Sequence, residues 1–299
     1  GEYLDEVYQS NARLTANIAS DYRDRFLIEL IQNAYDAHPV GTRDGQIKVI
    51  LDMREGEFGT LFVANKGRPF AKGNVKDLCD IGLSRKPLGE SIGNKGLGFR
   101  SVVQITDAPS VYSQSVATAS ENHFSGFCFR FAGPDDYAEL IDDRRHLQLA
   151  SRDLPIFHIP IWIDEQTRSI RDFAEEGFST VIQLPLRDAV ATESVRRQII
   201  DLHDQKVPML LFLERASSLA VRIVAEAGQV ETELAFTRSE DVDNVAGLQL
   251  ARVDLGGAGT FFMARRLVAE SKMKDAIEKG IARKELNQHW ERWAGDGEV

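Results

Sequence analysis

The segment Glu29–Ala37 carries polar side chains at a spacing that could serve phosphate chemistry. In a helix, Glu29, Asn33 and Asp36 would lie on one face, because they recur at steps of four and three residues. A carboxylate on that face could orient a water molecule. The amide oxygen of Asn33 could ligate Mg²⁺, which binds few protein oxygens beside phosphate and water. An amphipathic helix with a solvated polar face has the same pattern, so the segment alone leaves both interpretations open.

A second segment, Val63–Phe70, follows a predicted strand directly and reads Val-Ala-Asn-Lys-Gly-Arg-Pro-Phe. Gly67 would let the backbone turn close against a flat ligand, although a plain turn uses glycine in the same way. After a further strand signal, Thr180 opens the run Thr180–Leu184 behind small hydroxylic residues. Alone, that run predicts only a strand.

A third segment, Ile92–Val102, contains three glycines, Gly93, Gly96 and Gly98, just before a short helix predicted from Phe99. Exposed backbone N–H groups running into a helix N-terminus would form an anion site suited to a triphosphate. A mobile linker is the alternative. The segment has neither the Gly-Lys-Ser/Thr of a Walker loop nor the glycine order of a Rossmann fingerprint.

The charge distribution also singles out this part of the chain. Residues 66–100 hold eight basic and three acidic residues, whereas the whole chain of 299 residues has a net charge of −10. A basic, glycine-rich stretch in an acidic protein indicates a local anionic ligand or a solvated loop. The overall negative charge argues against a nucleic-acid surface over the whole chain.

The composition and the elements predicted around these segments describe a soluble globular chain. No apolar run reaches the roughly 18 residues of a membrane span, no signal peptide opens the chain, and Cys79 and Cys128 make no metal or disulfide spacing, so we expect a cytoplasmic protein. We expect a domain boundary near residue 190, and we expect the chain to be a fragment of a longer protein.

Periodicity also predicts the elements along the chain. Helices are predicted over Tyr3–Ala16, Tyr22–Ala37, Glu193–Gln205 and Ser271–Trp293, and an irregular surface segment over 132–155. Strands are predicted over Gln46–Leu51, Thr60–Ala64, Ser110–Ser113, His123–Phe131, Ile159–Ile163, Thr180–Leu184, Leu219–Val224, Thr232–Phe236, Leu248–Val253 and Thr260–Leu267.

The order of these segments resembles that of the GHKL ATPases, the class of gyrase, the ninety-kilodalton heat-shock chaperone, histidine kinases and MutL. Phe26–Ala37 and Ile92–Val102 look most like the sacsin-like, chaperone-like branch. The resemblance implies an α+β fold. A Bergerat-type α/β sandwich, an antiparallel-rich mixed sheet with helices on one face, would occupy residues 1–190. A smaller α/β domain resembling a transducer or middle domain would occupy 191–299, truncated at its C-terminal end.

The resemblance also assigns roles. Glu29 matches the general base and Asn33 the Mg²⁺ ligand, while the hydroxyl of Thr180 would help to hold an adenine-side acid and water. One departure is Asn65, which stands where the family usually has an adenine-reading Asp; its amide is neutral, yet its oxygen can still accept from the adenine amino group. The nucleotide-binding positions implied are Asn33, Asp36, Asn65, Gly67, Ser84, Lys86, Gly93, Lys95, Gly96, Gly98, Phe99 and Thr180. Of these, Gly93, Gly96, Gly98 and Phe99 match a lid that closes over the phosphates.

The function implied by this resemblance is Mg²⁺-dependent binding and slow hydrolysis of ATP. Closure of a lid over ATP would drive formation of a homodimer or move further domains of a longer chain, with no membrane or nucleic-acid partner for this part. A non-hydrolysing nucleotide switch that gates an effector domain is the alternative. A histidine kinase fits less well, because only about twenty residues precede the predicted helix Tyr22–Ala37. A DNA-repair or topoisomerase relative would contact DNA elsewhere.

Overall fold

The strands in the described part of the chain form one large and one small sheet. The computed structural model describes residues 25–79, 99–118, 120, 122–153, 159–205, 207–245, 248–266 and 270–286. In these residues helices pack on an eight-stranded mixed sheet, and a separate three-stranded sheet follows. The α+β class predicted from the sequence is therefore confirmed.

The large sheet has the strand order β5-β4-β3-β6-β2-β1-β7-β8. Neighbouring strands are antiparallel except for β1 and β7, which run parallel with Ile47 opposite Leu219. The strands are β1 (Gly45–Asp52), β2 (Thr60–Asn65), β3 (Ser110–Ser113), β4 (Phe129–Phe131), β5 (Pro160–Trp162), β6 (Thr180–Pro185), β7 (Ala216–Val224) and β8 (Val230–Thr237).

Helices lie on both faces of this sheet, whereas the resemblance implied helices on one face. The helices are α1 (Phe26–Asp36), α2 (Lys72–Cys79), α3 (Pro134–Leu140), α4 (Arg144–Asp153), α5 (Arg168–Glu175), α6 (Ala189–His203) and α7 (Glu270–Ala282), with 3₁₀ turns at Phe99–Gln104, Met209–Phe212 and Gly256–Ala258. On β2, Leu61 and Val63 enter the core that α1 and α6 share, whereas Phe62 meets Phe173 of α5 on the opposite face, with ring centroids 5.6 Å apart.

The small sheet consists of β9 (Ser239–Val245), β10 (Leu248–Asp254) and β11 (Thr260–Arg266). Its inward residues, Ala251 and Val253, belong to the same buried cluster as the core under α1. The boundary predicted near residue 190 runs through this architecture: α6, β7 and β8 all lie beyond it and complete the large sheet and its core. The division of the chain into two domains stays a prediction.

Two longer parts of the described chain, followed by several shorter ones, differ from the sequence prediction. Residues 132–155 were expected to be irregular, but they contain α3 and α4. Pro134 begins α3 with its φ already set, and the Asp136 carboxylate accepts the Gly133 N–H at 2.8 Å. The strand predicted over His123–Phe131 is confined to β4; before it, Phe124 and Cys128 are buried in the core beside α5.

The remaining differences concern charged or short elements. The charged β9 was not predicted, and neither were α5 and the helix α2 within the glycine-rich stretch. The predicted helix Tyr3–Ala16 and the end of the last helix after residue 286 lie outside the described residues. None of the helices in the described ranges is long and apolar enough to span a membrane.

Candidate functional site

A cavity of about 420 Å³ opens between α1, the ends of β2 and β6, and α2. Its size is within the range of small-molecule sites, roughly 300–1,000 Å³. The residues that line it are Asn33, Ala34, Asp36, Ala37, Asn65, Arg68, Pro69, Phe70, Ala71, Asn74, Leu78, Phe99, Thr180 and Ile182.

Helix α1 presents one polar and one apolar side. Leu27, Leu30 and Ile31 are fully buried against the sheet, so Asn33 and Asp36 are directed to the cavity wall. The helix begins without a side-chain cap of its own. Instead, the Leu27 N–H donates to Oε1 of the buried Gln198 of α6 at 3.1 Å, which satisfies one amide of the first turn.

The floor of the cavity is built where two central strands lie side by side. Asn65, at the end of β2, is the Cα partner of Thr180, at the start of β6, and both are almost fully buried. The Thr180 hydroxyl lies 3.2 Å from the Ser113 hydroxyl on β3, and either oxygen can be the donor. Ser113 Oγ also accepts the Phe70 N–H at 2.8 Å, so the loop after β2 is held against the floor.

The backbone after Asn65 is fixed by a short-range hydrogen bond and by a close approach to α1. Asn65 Oδ1 accepts the Gly67 N–H at 2.9 Å, an Asx turn. A Cβ on Gly67 would lie 2.6 Å from the Ala37 carbonyl carbon, and the Arg68 N–H donates to the Ala37 oxygen at 2.8 Å. Glycine at this position therefore serves the junction with the end of α1, and Gly67 is not among the residues that line the cavity.

The loop and α2 supply most of the residues that the sequence did not single out for binding. Asn74 accepts the Ala71 N–H at 2.8 Å through Oδ1 and so orders the first turn of α2. Arg68 places an exposed cation at the cavity, and Phe70 adds an aromatic wall. The signal for Phe70 was its place in the Asn-Lys-Gly-Arg-Pro-Phe run. No sequence signal pointed to Asn74, because α2 was not predicted.

At the C-terminal end of α1, burial shifts the pKa of His38 and that of Tyr35 towards the neutral form of each side chain. Desolvation lowers the pKa of the buried His38, whose Nδ1 lies 3.3 Å from the backbone carbonyl oxygen of Tyr35. Burial likewise raises the pKa of Tyr35, although the Arg215 guanidinium, 5.1 Å from the ring centroid, opposes the shift. Arg215 Nη1 also donates to the His38 oxygen at 3.2 Å. The end of α1 is thus anchored to the start of β7.

The structure brings together five of the residues predicted from the sequence: Asn33, Asp36, Asn65, Phe99 and Thr180 all line the cavity. Glu29 is buried on α1 one turn before Asn33 and does not itself line the cavity. The lid positions Ser84, Lys86, Gly93, Lys95, Gly96 and Gly98 lie outside the described residues.

The side chains at the cavity suit Mg²⁺ and a phosphate group in their donor types. Asn33 and Asp36 offer oxygens one turn apart on one helix, and Mg²⁺ takes few protein oxygens when phosphate and water complete its shell. Among the described residues, no group of three or more His, Cys, Asp and Glu is placed to hold a metal by itself. A Mg²⁺ ion at this cavity would therefore need ligands beyond these two side chains.

A larger, open trough of about 600 Å³ lies beside α5 and has a different character. Of the charged residues that line it, Arg168 and Glu175 form an ion pair at 3.1 Å, and Arg168 also pairs with Asp172 at 2.7 Å. Exposed ion pairs of this kind contribute little to stability. None of the binding positions that the resemblance implies and the structure describes lines this trough, whereas five of them line the smaller cavity, which is therefore the candidate site.

Comparison with known proteins shows that the part of the chain that forms the cavity matches a known domain family. The sequence model of the Sacsin domain matches residues 10–235, which include α1, all eight strands of the large sheet except the last two residues of β8, and every residue of the cavity. Protein NO VEIN of Arabidopsis thaliana is 26% identical over 263 residues, covering 85% of this chain. The chain spans 8% of the length of that relative.

Proposed function

The chain belongs to the Sacsin domain family, and from the order of its own segments, which resembles that of the GHKL ATPases, we propose that the cavity binds and slowly hydrolyses ATP with Mg²⁺. The observation that carries the proposal is that residues from separate motifs line the same cavity. Asn33, Asn65, Phe99 and Thr180 come from four separate segments of the chain, and they meet at one cavity of suitable size. A solvated helix face and an ordinary turn would have no reason to meet there.

In this proposal the base lies at the floor and the phosphates lie along α1. Asn65 and Thr180 offer polar groups at the strand ends, and Phe70 and Phe99 offer apolar walls to a flat ring. Asn33 and Asp36 lie farther along the wall, where oxygen atoms would hold Mg²⁺, which neutralises phosphate charge when bound. The lid positions between Ser84 and Gly98 would cover the triphosphate with backbone N–H groups.

Glu29 would orient the attacking water. It lies on α1 one turn before Asn33, so a γ-phosphate held near Asn33 would bring the water within reach of that carboxylate. The carboxylate would accept a proton from the water as its oxygen attacks the γ-phosphorus and the bond to the β-phosphate breaks. ADP and phosphate would be the products.

The test is turnover of Glu29→Ala and of the isosteric Glu29→Gln. Both should lower turnover by roughly 10²-fold or more, because a general base contributes on that scale. ATP affinity should change little, because the carboxylate acts in the transition state more than in the bound state. Phosphate release and calorimetric ATP affinity are measured on the same samples, with thermal unfolding to show that each variant is folded.

Gln32→Ala is the matched control, because Gln32 is half-buried on the same helix and does not line the cavity. Its turnover should equal that of the wild type. If the wild type releases phosphate no faster than Glu29→Gln while still binding ATP, the hydrolysis proposal fails, and the non-hydrolysing switch replaces it. Absence of ATP binding would contradict both.

Lid closure is proposed to promote pairing of two copies or movement of further domains. The basis is the resemblance, together with the small share of the NO VEIN relative that this chain spans. A slow ATPase that retains ATP should accumulate in the closed state. Sedimentation of Glu29→Gln with ATP should therefore show more dimer than the same protein with ADP, and an unchanged monomer would contradict dimerisation.

A further inference from the structure

The orientation of the Asn65 amide is fixed by its own backbone. The Gly67 N–H, 2.9 Å away, is a donor, so the atom that meets it must be the acceptor Oδ1. Turning the amide over would set two donors against each other at a site that is 5% exposed. The amide therefore has one orientation, and Nδ2 is its other end.

The donor Nδ2 is the new chemical feature at the floor of the cavity. Within the described residues, Nδ2 has no hydrogen-bond partner, while Asn65 lines the cavity. An aspartate here could accept the Gly67 N–H with one oxygen and present its second oxygen as another acceptor. Asparagine presents a donor at that place instead.

The two kinds of purine place opposite groups at their 6-position. Adenine carries an amino group, which is a donor, whereas hypoxanthine and guanine carry an oxygen, which is an acceptor. Nδ2 is complementary to the 6-oxygen. Adenine would use the second lone pair of Oδ1 for its amino group, since Nδ2 cannot accept from that group, and Nδ2 would then donate to a neighbouring ring nitrogen of the base.

Thr180 adapts to either base. Its hydroxyl and that of Ser113 lie 3.2 Å apart, and either can donate to the other. When Thr180 donates to Ser113, it can accept from the ligand; when Ser113 donates, Thr180 can donate to the ligand. Discrimination between bases at this floor therefore depends on Asn65.

Building on the proposed triphosphate site, we infer that the cavity accepts 6-oxopurine nucleoside triphosphates at least as tightly as ATP, with Asn65 Nδ2 donating to the 6-oxygen. The site would thus be one for purine triphosphates in general. The residue that would confer adenine selectivity is the aspartate that this chain lacks.

The test compares ATP with ITP, the triphosphate of hypoxanthine, because these nucleotides differ at the 6-position and in the proton on N1. Calorimetry with Mg²⁺ on the 299-residue chain should give an ITP affinity equal to or above that of ATP. Asn65→Asp should move the ratio of ATP to ITP affinity about tenfold or more towards ATP, the scale of one mismatched hydrogen bond at a desolvated site.

Asn74→Asp is the matched control. Asn74 lines the same cavity and accepts a neighbouring N–H through Oδ1, so the variant adds the same charge without altering the floor. Its ATP to ITP ratio should equal that of the wild type. A wild type that prefers ATP by fivefold or more, or an Asn65→Asp variant with an unchanged ratio, would overturn the inference. If neither nucleotide binds, the proposed function itself fails.

Discussion

At the scale of single residues, Asn33 combines a suitable ligand atom with a suitable position. Its amide side chain lines the cavity one turn from Asp36, and α1 is anchored at its start by Gln198 and at its end through Tyr35 and Arg215. A side chain held by so fixed a helix can bind an ion without a large loss of freedom.

Asn33→Ala should remove the Mg²⁺ dependence of ATP binding. We expect affinity in Mg²⁺ to fall roughly tenfold or more, to the value that the wild type shows in EDTA, because the variant lacks the oxygen that would ligate the ion. Calorimetry with and without Mg²⁺ measures this. Asn74→Ala, at the same cavity, should retain the Mg²⁺ effect. Equal Mg²⁺ dependence in Asn33→Ala and wild type would exclude Asn33 as a ligand.

The sequence could indicate Asn33, Asp36, Asn65 and Thr180 because each belongs to a motif with its own periodicity or strand signal. It could not place Ser113, which lies in no motif. Ser113 reaches the site only because β3 pairs with β6 and brings its hydroxyl to Thr180 and to the Phe70 N–H. Long-range pairing of this kind leaves no local pattern.

At the scale of elements, the junction between β2 and the end of α1 depends on close backbone approach. Gly67→Ala should lower the free energy of unfolding by about 1–3 kcal/mol, because its Cβ would overlap the Ala37 backbone at 2.6 Å, and neither element can move alone. Urea denaturation measures the loss.

Gly73→Ala is the control for that substitution. A Cβ on Gly73 would have no atom within 4 Å, and Gly73 lies in α2, so alanine should leave stability unchanged or raise it by up to about 1 kcal/mol. If Gly67→Ala keeps wild-type stability and loses only ATP affinity, the glycine serves the ligand and not the junction.

Elements with strong periodicity were predictable, and those built on local chemistry were not. The strand Ser110–Ser113 agrees with β3 residue for residue, and α1 lies within the predicted Tyr22–Ala37. Helix α3 was missed because its stability comes from particular contacts. Asp136 accepts from Arg130 at 2.6 Å and from the Gly133 N–H, which places the pKa of its carboxyl at about 2.

At the scale of the whole molecule, buried charges connect the two sheets. Glu240 of β9 is paired with Arg238 at 2.6 Å, and these side chains are only 7% and 4% exposed. Arg43 and Arg265 approach the same carboxylate at 3.3 and 3.4 Å. The cluster joins the loop before β1 to both outer strands of the small sheet.

Glu240→Gln should destabilise the protein by about 3 kcal/mol, because Arg238 would remain buried without its counter-charge. Urea denaturation monitored by tryptophan fluorescence measures the change. Asp275→Asn, which breaks an ion pair with Lys279 whose side chains are 60% and 62% exposed, should leave the midpoint unchanged. Equal midpoints for wild type and Glu240→Gln would show that the cluster does not stabilise the fold.

The parallel pairing of β1 with β7 governs the order in which the chain can fold. β1 is synthesised long before β7, and until β7 exists the apolar strand Ile47–Leu51 keeps one open edge. Closing so long a loop makes folding slow, and an open apolar edge can pair with another molecule meanwhile. A piece of this chain that ended at residue 190 would keep that edge permanently, and would be prone to aggregation although it contained every residue of the cavity.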